Sequence, residues 1–174
     1  MVRGSIMNAA IAMPGSEQAW NLLGTVMDPE IPNLSLIDIG VIREVETGED
    51  GSVRVAMSPT YTGCPATDMM KIMVHDALIS GGFARVQVDT VLSPAWSSDW
   101  ITEEGHRKLR EAGIAPPAAR SSDKRHLMGL DPDVPCPQCG SMDTELKSNF
   151  GSTACKALYQ CRSCHEPFDY FKCI

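Results

Sequence analysis

The chain has 174 residues, with 15 Lys and Arg against 22 Asp and Glu for a formal charge of −7, and 43% hydrophobic residues. That apolar share belongs to a globular protein rather than a disordered one, and the length allows one or two small domains. No run of ~18 apolar residues exists to cross a membrane. The acidic balance offers a phosphate backbone too little positive charge for non-specific nucleic-acid binding.

Residues 1–15 carry Arg3 and an apolar run from Ile6 to Met13 that Asn8 interrupts. An export signal needs ~7–15 continuous apolar residues there. The segment is therefore expected to be a disordered tail of a cytoplasmic protein, with Met7 an alternative start. Ser16 is placed to cap a helix whose apolar positions Ala19, Leu22, Leu23, Val26 and Met27 recur at helical spacing. Asp28-Pro29-Glu30-Ile31-Pro32 should end it, because proline lacks a donor and restricts the preceding residue. A strand from Val41 to Thr47, a turn at Gly48-Glu49-Asp50-Gly51 and a returning strand with Val53, Val55 and Met57 inward make a hairpin.

The loop Thr60 to Pro65 leads to a second helix, where Ala66, Met69, Met70, Met73, Val74, Ala77 and Leu78 form an apolar stripe best explained as core. Pro favours the first helical position, so Cys64 before Pro65 is predicted at the N-cap. Free N–H groups and the helix dipole would there stabilise its thiolate, with Asp68 opposing them. His75 lies eleven residues on, about 16 Å along the helix, too far to pair with Cys64. A strand from Arg85 to Leu92 and a charged helix from Thr102 to Ala112, ended by Gly113, complete the order α-β-β-α-β-α. This is an α/β (α+β) domain with a small sheet, over residues 16–114. Glu103 and His106 form one E-x-x-H pair; a di-iron site needs two such pairs, so both read as solvated helix residues. No phosphate loop, dinucleotide fingerprint or nucleophile elbow occurs.

Residues 115–135, with Pro116-Pro117, Ser121-Ser122 and Pro135, read as a semi-extended linker. Beyond it, residues 136–174 contain six of the seven cysteines. Cys136-Pro137-Gln138-Cys139 and Cys161-Arg162-Ser163-Cys164 are two C-x-x-C clips separated by 21 residues, a hairpin's length. Two such clips form a tetrahedral four-sulfur site, the geometry of structural zinc. The same 39 residues hold half of the ten aromatics, a core too small to fold without a staple. An all-β zinc ribbon follows, with strands near 144–149, 157–161 and 168–172.

Three rival readings account for fewer of these thiols. Cys161-Arg162-Ser163-Cys164-His165 has the form of a c-type haem attachment motif, but it needs export and leaves Cys136 and Cys139 idle. Cys155, Cys161, Cys164 and Cys173 approximate an iron–sulfur spacing, with one gap a residue too long. A disulfide framework suits an oxidising compartment. Cys155 and Cys173 stay unassigned, as small buried hydrophobes or as auxiliary thiols for metal transfer. The ribbon has four basic and four acidic groups, so the charge of −7 lies upstream.

The residues Asp28 to Pro32, Leu36-Ile37-Asp38-Ile39-Gly40 and Thr60 to Pro65 resemble the domain of SufT-like and cytosolic iron–sulfur assembly proteins. Pro94 to Ile101, Gly113 to Pro117, Phe150 to Tyr159 and Glu166 to Cys173 are similar to the D-subunit family of bacterial phenylacetyl-CoA epoxidases, the ring-1,2-epoxidising oxygenases of phenylacetate breakdown. That resemblance implies a non-catalytic accessory component of an NADPH-dependent oxygenase. A di-iron oxygenase component and a flavin and ferredoxin-like reductase would be its partners. It implies a reactive thiol at Cys64 with Asp28, Glu30 and Asp38 as loop acids nearby. It also implies structural zinc on Cys136, Cys139, Cys161 and Cys164, and a transient iron or iron–sulfur cluster as cargo. An electron-transfer component with an iron–sulfur centre on the C-terminal cysteines is the alternative. Association between copies of the chain is left open.

Overall fold

The protein is described from a computed structural model that covers residues 14–117 and 132–172. The expected tail over 1–13, most of the expected linker and Cys173 lie outside the described residues. Among the described residues, three α-helices and seven strands run in the order α1 (Ser16–Leu23), β1 (Ile42–Thr47), β2 (Ser52–Met57), α2 (Thr67–Ser80), β3 (Arg85–Thr90), α3 (Glu103–Glu111), β4 (Ile114–Ala115), β5 (Thr144–Ser148), β6 (Lys156–Cys161) and β7 (Pro167–Phe171), with a short 3-10 turn at Ser98–Trp100 before α3.

Helix α1 begins one residue earlier than its expected cap: Gly15 is the N-cap, and Ser16 is already helical. It ends at Gly24, short of the proline pair. The reason lies across the loop. Asp28 N–H donates to Leu34 O at 2.7 Å and Leu36 N–H to Val26 O at 2.9 Å, so residues 26–28 take extended pairing. Ala19 and Leu23 are fully buried and anchor the helix on the core.

The N-terminal sheet is mixed, in the order β1-β2-β3. β1 and β2 form the antiparallel hairpin around Gly48 to Gly51, and β3 returns through α2 to lie parallel to β2, Val55 beside Val88. Val53, Val55 and Met57 point inward as the alternation predicts. On α2, Met70, Val74 and Leu78 are buried, whereas Met69 is 52% exposed and Ile72 55%, so the apolar stripe is narrower than its spacing suggests. Thr102 caps α3, its hydroxyl accepting from Gly105 N–H at 2.9 Å, which satisfies an otherwise orphan donor.

The second sheet has the order β4-β7-β6-β5. β5, β6 and β7 are antiparallel neighbours, as a ribbon requires. Strand β4, directly after α3, adds to its edge parallel to β7, with Ile114 beside Asp169. Strand β7 is buried on both faces. Phe168 and Tyr170 join Tyr159, Cys136 and Cys161 in the ribbon's core. Phe171 and Cys155 turn the other way, into the core shared with α1, α2 and the first sheet. The Phe171 ring lies 6.0 Å from that of Trp96, whose indole N–H donates to Ile39 O at 3.0 Å. The two units therefore share one apolar seam.

Candidate functional site

The two cysteine clips converge. The Sγ atoms of Cys136, Cys139, Cys161 and Cys164 all lie within 4.8 Å of one another. Cys136 Sγ is 3.7 Å from Cys164 Sγ, and Cys139 Sγ is 3.6 Å from Cys161 Sγ. A metal–sulfur bond of about 2.3 Å gives a tetrahedron with an edge near 3.8 Å, while a disulfide would hold its sulfurs at about 2.05 Å. The donor set fits one tetrahedral ion and no disulfide pair.

The clips are built alike. Gly140 and His165 each follow the second cysteine of a clip, and both take the left-handed conformation, φ 73° and 63°. That turn returns the chain after each thiol, freely for glycine and at a steric cost for histidine. His165 thus occupies the position of Gly140, which explains the haem-like C-x-x-C-H string. Backbone N–H groups face the sulfurs: Cys164 N–H points at Cys161 Sγ at 3.4 Å. Those of Cys164 and Ser163 pull the Cys161 thiol down to about 6 against the opposing effect of burial. Cys161 has no exposed surface, whereas Cys139 and Cys164 face solvent.

Cys64 is not at the helix N-cap. Ala66 takes that position, and Cys64 sits in the preceding turn, with its N–H donating to Tyr61 O at 3.3 Å and its O accepting from Thr67 N–H at 3.1 Å. Pro65 therefore closes a turn instead of opening the helix, and the helix dipole lies beyond the thiol's first neighbours. The thiol instead lines a cavity of ≈20 Å³ in the seam between the two sheets, with Asp28, Glu30, Met70, Cys155 and Phe171. Sequence reasoning leaves Cys155 unassigned, because no local signal connects it with a residue 91 positions earlier.

Burial at this cavity disfavours a negative charge on Asp28 and on Cys155. Burial raises the Asp28 carboxyl above its ordinary 3.8, although Oδ1 accepts from Glu30 N–H at 2.8 Å and Ile31 N–H at 2.9 Å, and the Lys156 charge also works against the rise. Burial also raises the Cys155 thiol; its Thr153 hydroxyl contact at 3.0 Å and Lys156 oppose that rise, and the charges of Glu30 and Asp28 add to it. The Tyr61 hydroxyl is raised by burial and by Cys64 beside it.

Asp38 does not line the cavity. It is buried, its Oδ2 accepting from Ser35 Oγ and Lys108 Nζ, both at 2.7 Å, which ties the loop before β1 to α3. Burial acts to raise its pKa, but the Lys108 and Ser35 hydrogen bonds outweigh it and hold the carboxyl below 3.8. A depressed carboxyl stabilises the fold fully above its unfolded pKa, and that stabilisation disappears as pH falls through the folded value. Asp38→Asn is expected to cost about 1–3 kcal/mol at pH 7 and to flatten the acid side of the stability profile. Denaturant midpoints from pH 3 to 7 test this; equal midpoints at pH 7 would make the pair inert. Glu103 is exposed, but His106 is half-buried, its pKa lowered by burial and by Arg110.

A larger groove of ≈870 Å³ is lined by residues of β1, β2, β3 and α2, among them Glu46, Arg54, His75, Ile79 and Arg85. It contains no thiol, and its arginines are engaged: Arg54 with Asp89 and Glu46, Arg85 with Asp50. No helix of the described residues is long and apolar enough to cross a membrane.

Residues 16–90 match a family model described as an iron-sulfur cluster assembly protein, and residues 120–172 match one described as a PaaD zinc beta ribbon domain. A protein of Escherichia coli (strain K12), provisionally named as the D subunit of 1,2-phenylacetyl-CoA epoxidase, is 49% identical over 95% of this chain and 98% of its own length. An Fe-S protein maturation auxiliary factor of Porphyromonas gingivalis is 37% identical over 53% of this chain and 89% of its own. The crystal structure of a DUF59 domain of unknown function from Bacillus anthracis superposes with a TM-score of 0.50 at 22% identity, covering 53% of this chain and 89% of that domain, and shares its fold. Because the first of these matches runs nearly end to end, through both the assembly-type domain and the ribbon, the chain belongs to the D-subunit family of phenylacetyl-CoA epoxidases.

Proposed function

We propose that this chain is the accessory D subunit of a phenylacetyl-CoA 1,2-epoxidase system, and that it helps load or mature the iron or iron–sulfur cofactor of its partner subunits. In this reading the partners are a di-iron oxygenase and an NADPH-dependent reductase in the cytoplasm. The four ribbon thiolates hold one structural zinc ion, and Cys64 handles iron or a cluster as cargo.

One observation carries the reading. The closed four-sulfur site and the Cys64 cavity are separate, and the cavity has a thiol and carboxylates in its lining. A tetrahedral site with four protein ligands has no open position and suits a structural role. The cavity offers soft and hard donors from a turn and a loop, where a metal can enter and leave. The family model described as an iron-sulfur cluster assembly protein matches residues 16–90, which contain Cys64, and this supports cargo handling there.

Expression of the partner subunits with the Cys64→Ser chain tests this. The variant should keep its fold and zinc while epoxidase activity and partner iron fall on the order of tenfold, the scale of a disturbed metal site. Unchanged partner iron and activity would defeat the assignment. The purified chain should carry about one zinc and no visible absorbance; a coloured, iron-containing ribbon would instead support the electron-transfer reading.

A further inference from the structure

The two edges of the N-terminal sheet differ. Among the described residues, β1 and β3 each pair only with β2. An open edge invites another strand unless bulges or repelling charges protect it. β1 has both devices: its register shifts between Ile42 and Glu44, and self-pairing about Val45 would set Glu44 against Glu46 of a second copy. β3 has neither. Its six residues, Arg85-Val86-Gln87-Val88-Asp89-Thr90, pair with β2 in unbroken register. Paired antiparallel with itself about Gln87, the strand is self-complementary: Arg85 meets Asp89, Val86 meets Val88, and Gln87 meets its own copy. The helix-facing side of this edge is also incompletely covered. Val53 and Val55 are buried, but their partners Val86 and Val88 stay half-buried although both pack against the core. Helix α2 packs on β3 and leaves Ile72 and Ile79 exposed, and Ile79 joins Arg85, Val86 and Gln87 in lining the ≈870 Å³ groove.

We propose that β3 is a dimer edge, to which a second copy of this chain adds its own β3 antiparallel across a two-fold axis at Gln87, joining two sheets into one. Charge selects this occupant. On the outer face each Arg85 stands opposite Asp89 of the other copy, and symmetry makes that attraction twice. Both groups already have partners within the chain, Arg85 in Asp50 and Asp89 in Arg54. Such exposed pairs contribute little, and a guanidinium or carboxylate keeps donors or lone pairs to spare. On the inner face Val86 and Val88 cover one another, and the second α2 arrives on the same side of the joined sheet, over the stripe of Ile72 and Ile79. Apolar surface that a lone chain leaves in water is thereby removed from it. A strand from a different protein would not require a sequence that matches itself reversed. The edge uses none of Cys64, Asp28 or Glu30, so it is independent of the proposed cargo site.

Sedimentation of the full chain, with its ribbon filled by zinc, should give a particle of two chain masses at about 100 μM. Gln87 is exposed and falls on the axis, which makes it the probe. Gln87→Lys and Gln87→Glu should each weaken dimerisation at least about threefold, because like charges then face each other whatever their sign. An electrostatic effect confined to one chain would respond oppositely to the two signs. Arg85→Glu should weaken the dimer on the order of tenfold, since two attractions become repulsions, and adding Asp89→Arg should restore it. Circular dichroism and zinc content should match wild type throughout; should the double variant fail to fold, the two Gln87 variants decide alone. Three results would overturn the proposal: a one-chain mass for wild type, a dimer indifferent to both Gln87 variants, or a folded double variant that stays monomeric. So would a chain that is monomeric until another subunit is added, which would assign the edge to that subunit's strand.

Discussion

Cys161→Ser is expected to abolish metal retention by the ribbon and to unfold the chain from Pro135 onward, the largest effect of any single substitution named for this protein. Cys161 is fully buried, ends β6, and has its Sγ 3.6 Å from that of Cys139. A serine oxygen cannot replace the thiolate of a soft four-sulfur set. Structural zinc in small domains supplies about 10–16 kcal/mol of apparent binding energy, comparable with the entire stability of an ordinary domain. What remains is a thin aromatic core of Tyr159, Phe168 and Tyr170, too little to order 39 residues. Metal analysis and limited proteolysis would show it: metal near zero, with cleavage between β5 and β7. A variant with its metal and its protease resistance intact would mean that the ion contributes no folding energy.

The second large effect falls on the seam. Phe171 has no exposed surface, lies 6.0 Å from the Trp96 ring, and packs into the core of the first sheet and its helices. Phe171→Ala removes a large buried side chain and leaves a cavity that β7, hydrogen-bonded on both edges, cannot close. The cost should be about 3–5 kcal/mol, or a Tm lowered by about 10 °C for a chain of this size. The ribbon's metal should stay, because Cys136 and Cys161 pack with Tyr159 and Phe168 in the other core, away from Phe171. Calorimetry with metal analysis distinguishes the cases. A loss under about 1 kcal/mol would mean that the two units are held together elsewhere. Loss of the metal together with stability would mean that the ribbon depends on the seam as much as on its ion.

These two variants also separate what could be read from the sequence and what could not. The clips, the hairpin length between them and the three ribbon strands are local patterns: two thiols three residues apart can share one ion wherever they occur. The same holds for the Gly48 to Gly51 hairpin and for the inward alternation of Val53, Val55 and Met57. Helix boundaries were less legible. Ser16 and Pro65 have the chemistry of helix starts, but Gly15 and Ala66 hold those positions: Gly15 O accepts from Ala19 N–H, and Cys64 N–H is spent on Tyr61 O in a turn before the second helix.

The sequence by itself determined the four-thiol site, the alternation of helix and strand, and a family resemblance that the near full-length match supports. Tertiary structure alone decided that Asp38 pairs with Lys108 away from Cys64, that Phe171 faces the first sheet, and that Cys155 and Cys64 border one cavity in the seam. Spacing along the chain encodes contacts within a turn or a hairpin, where few torsions separate the partners. Residues 91 positions apart come together only when whole faces are buried at once, and no short pattern records that outcome.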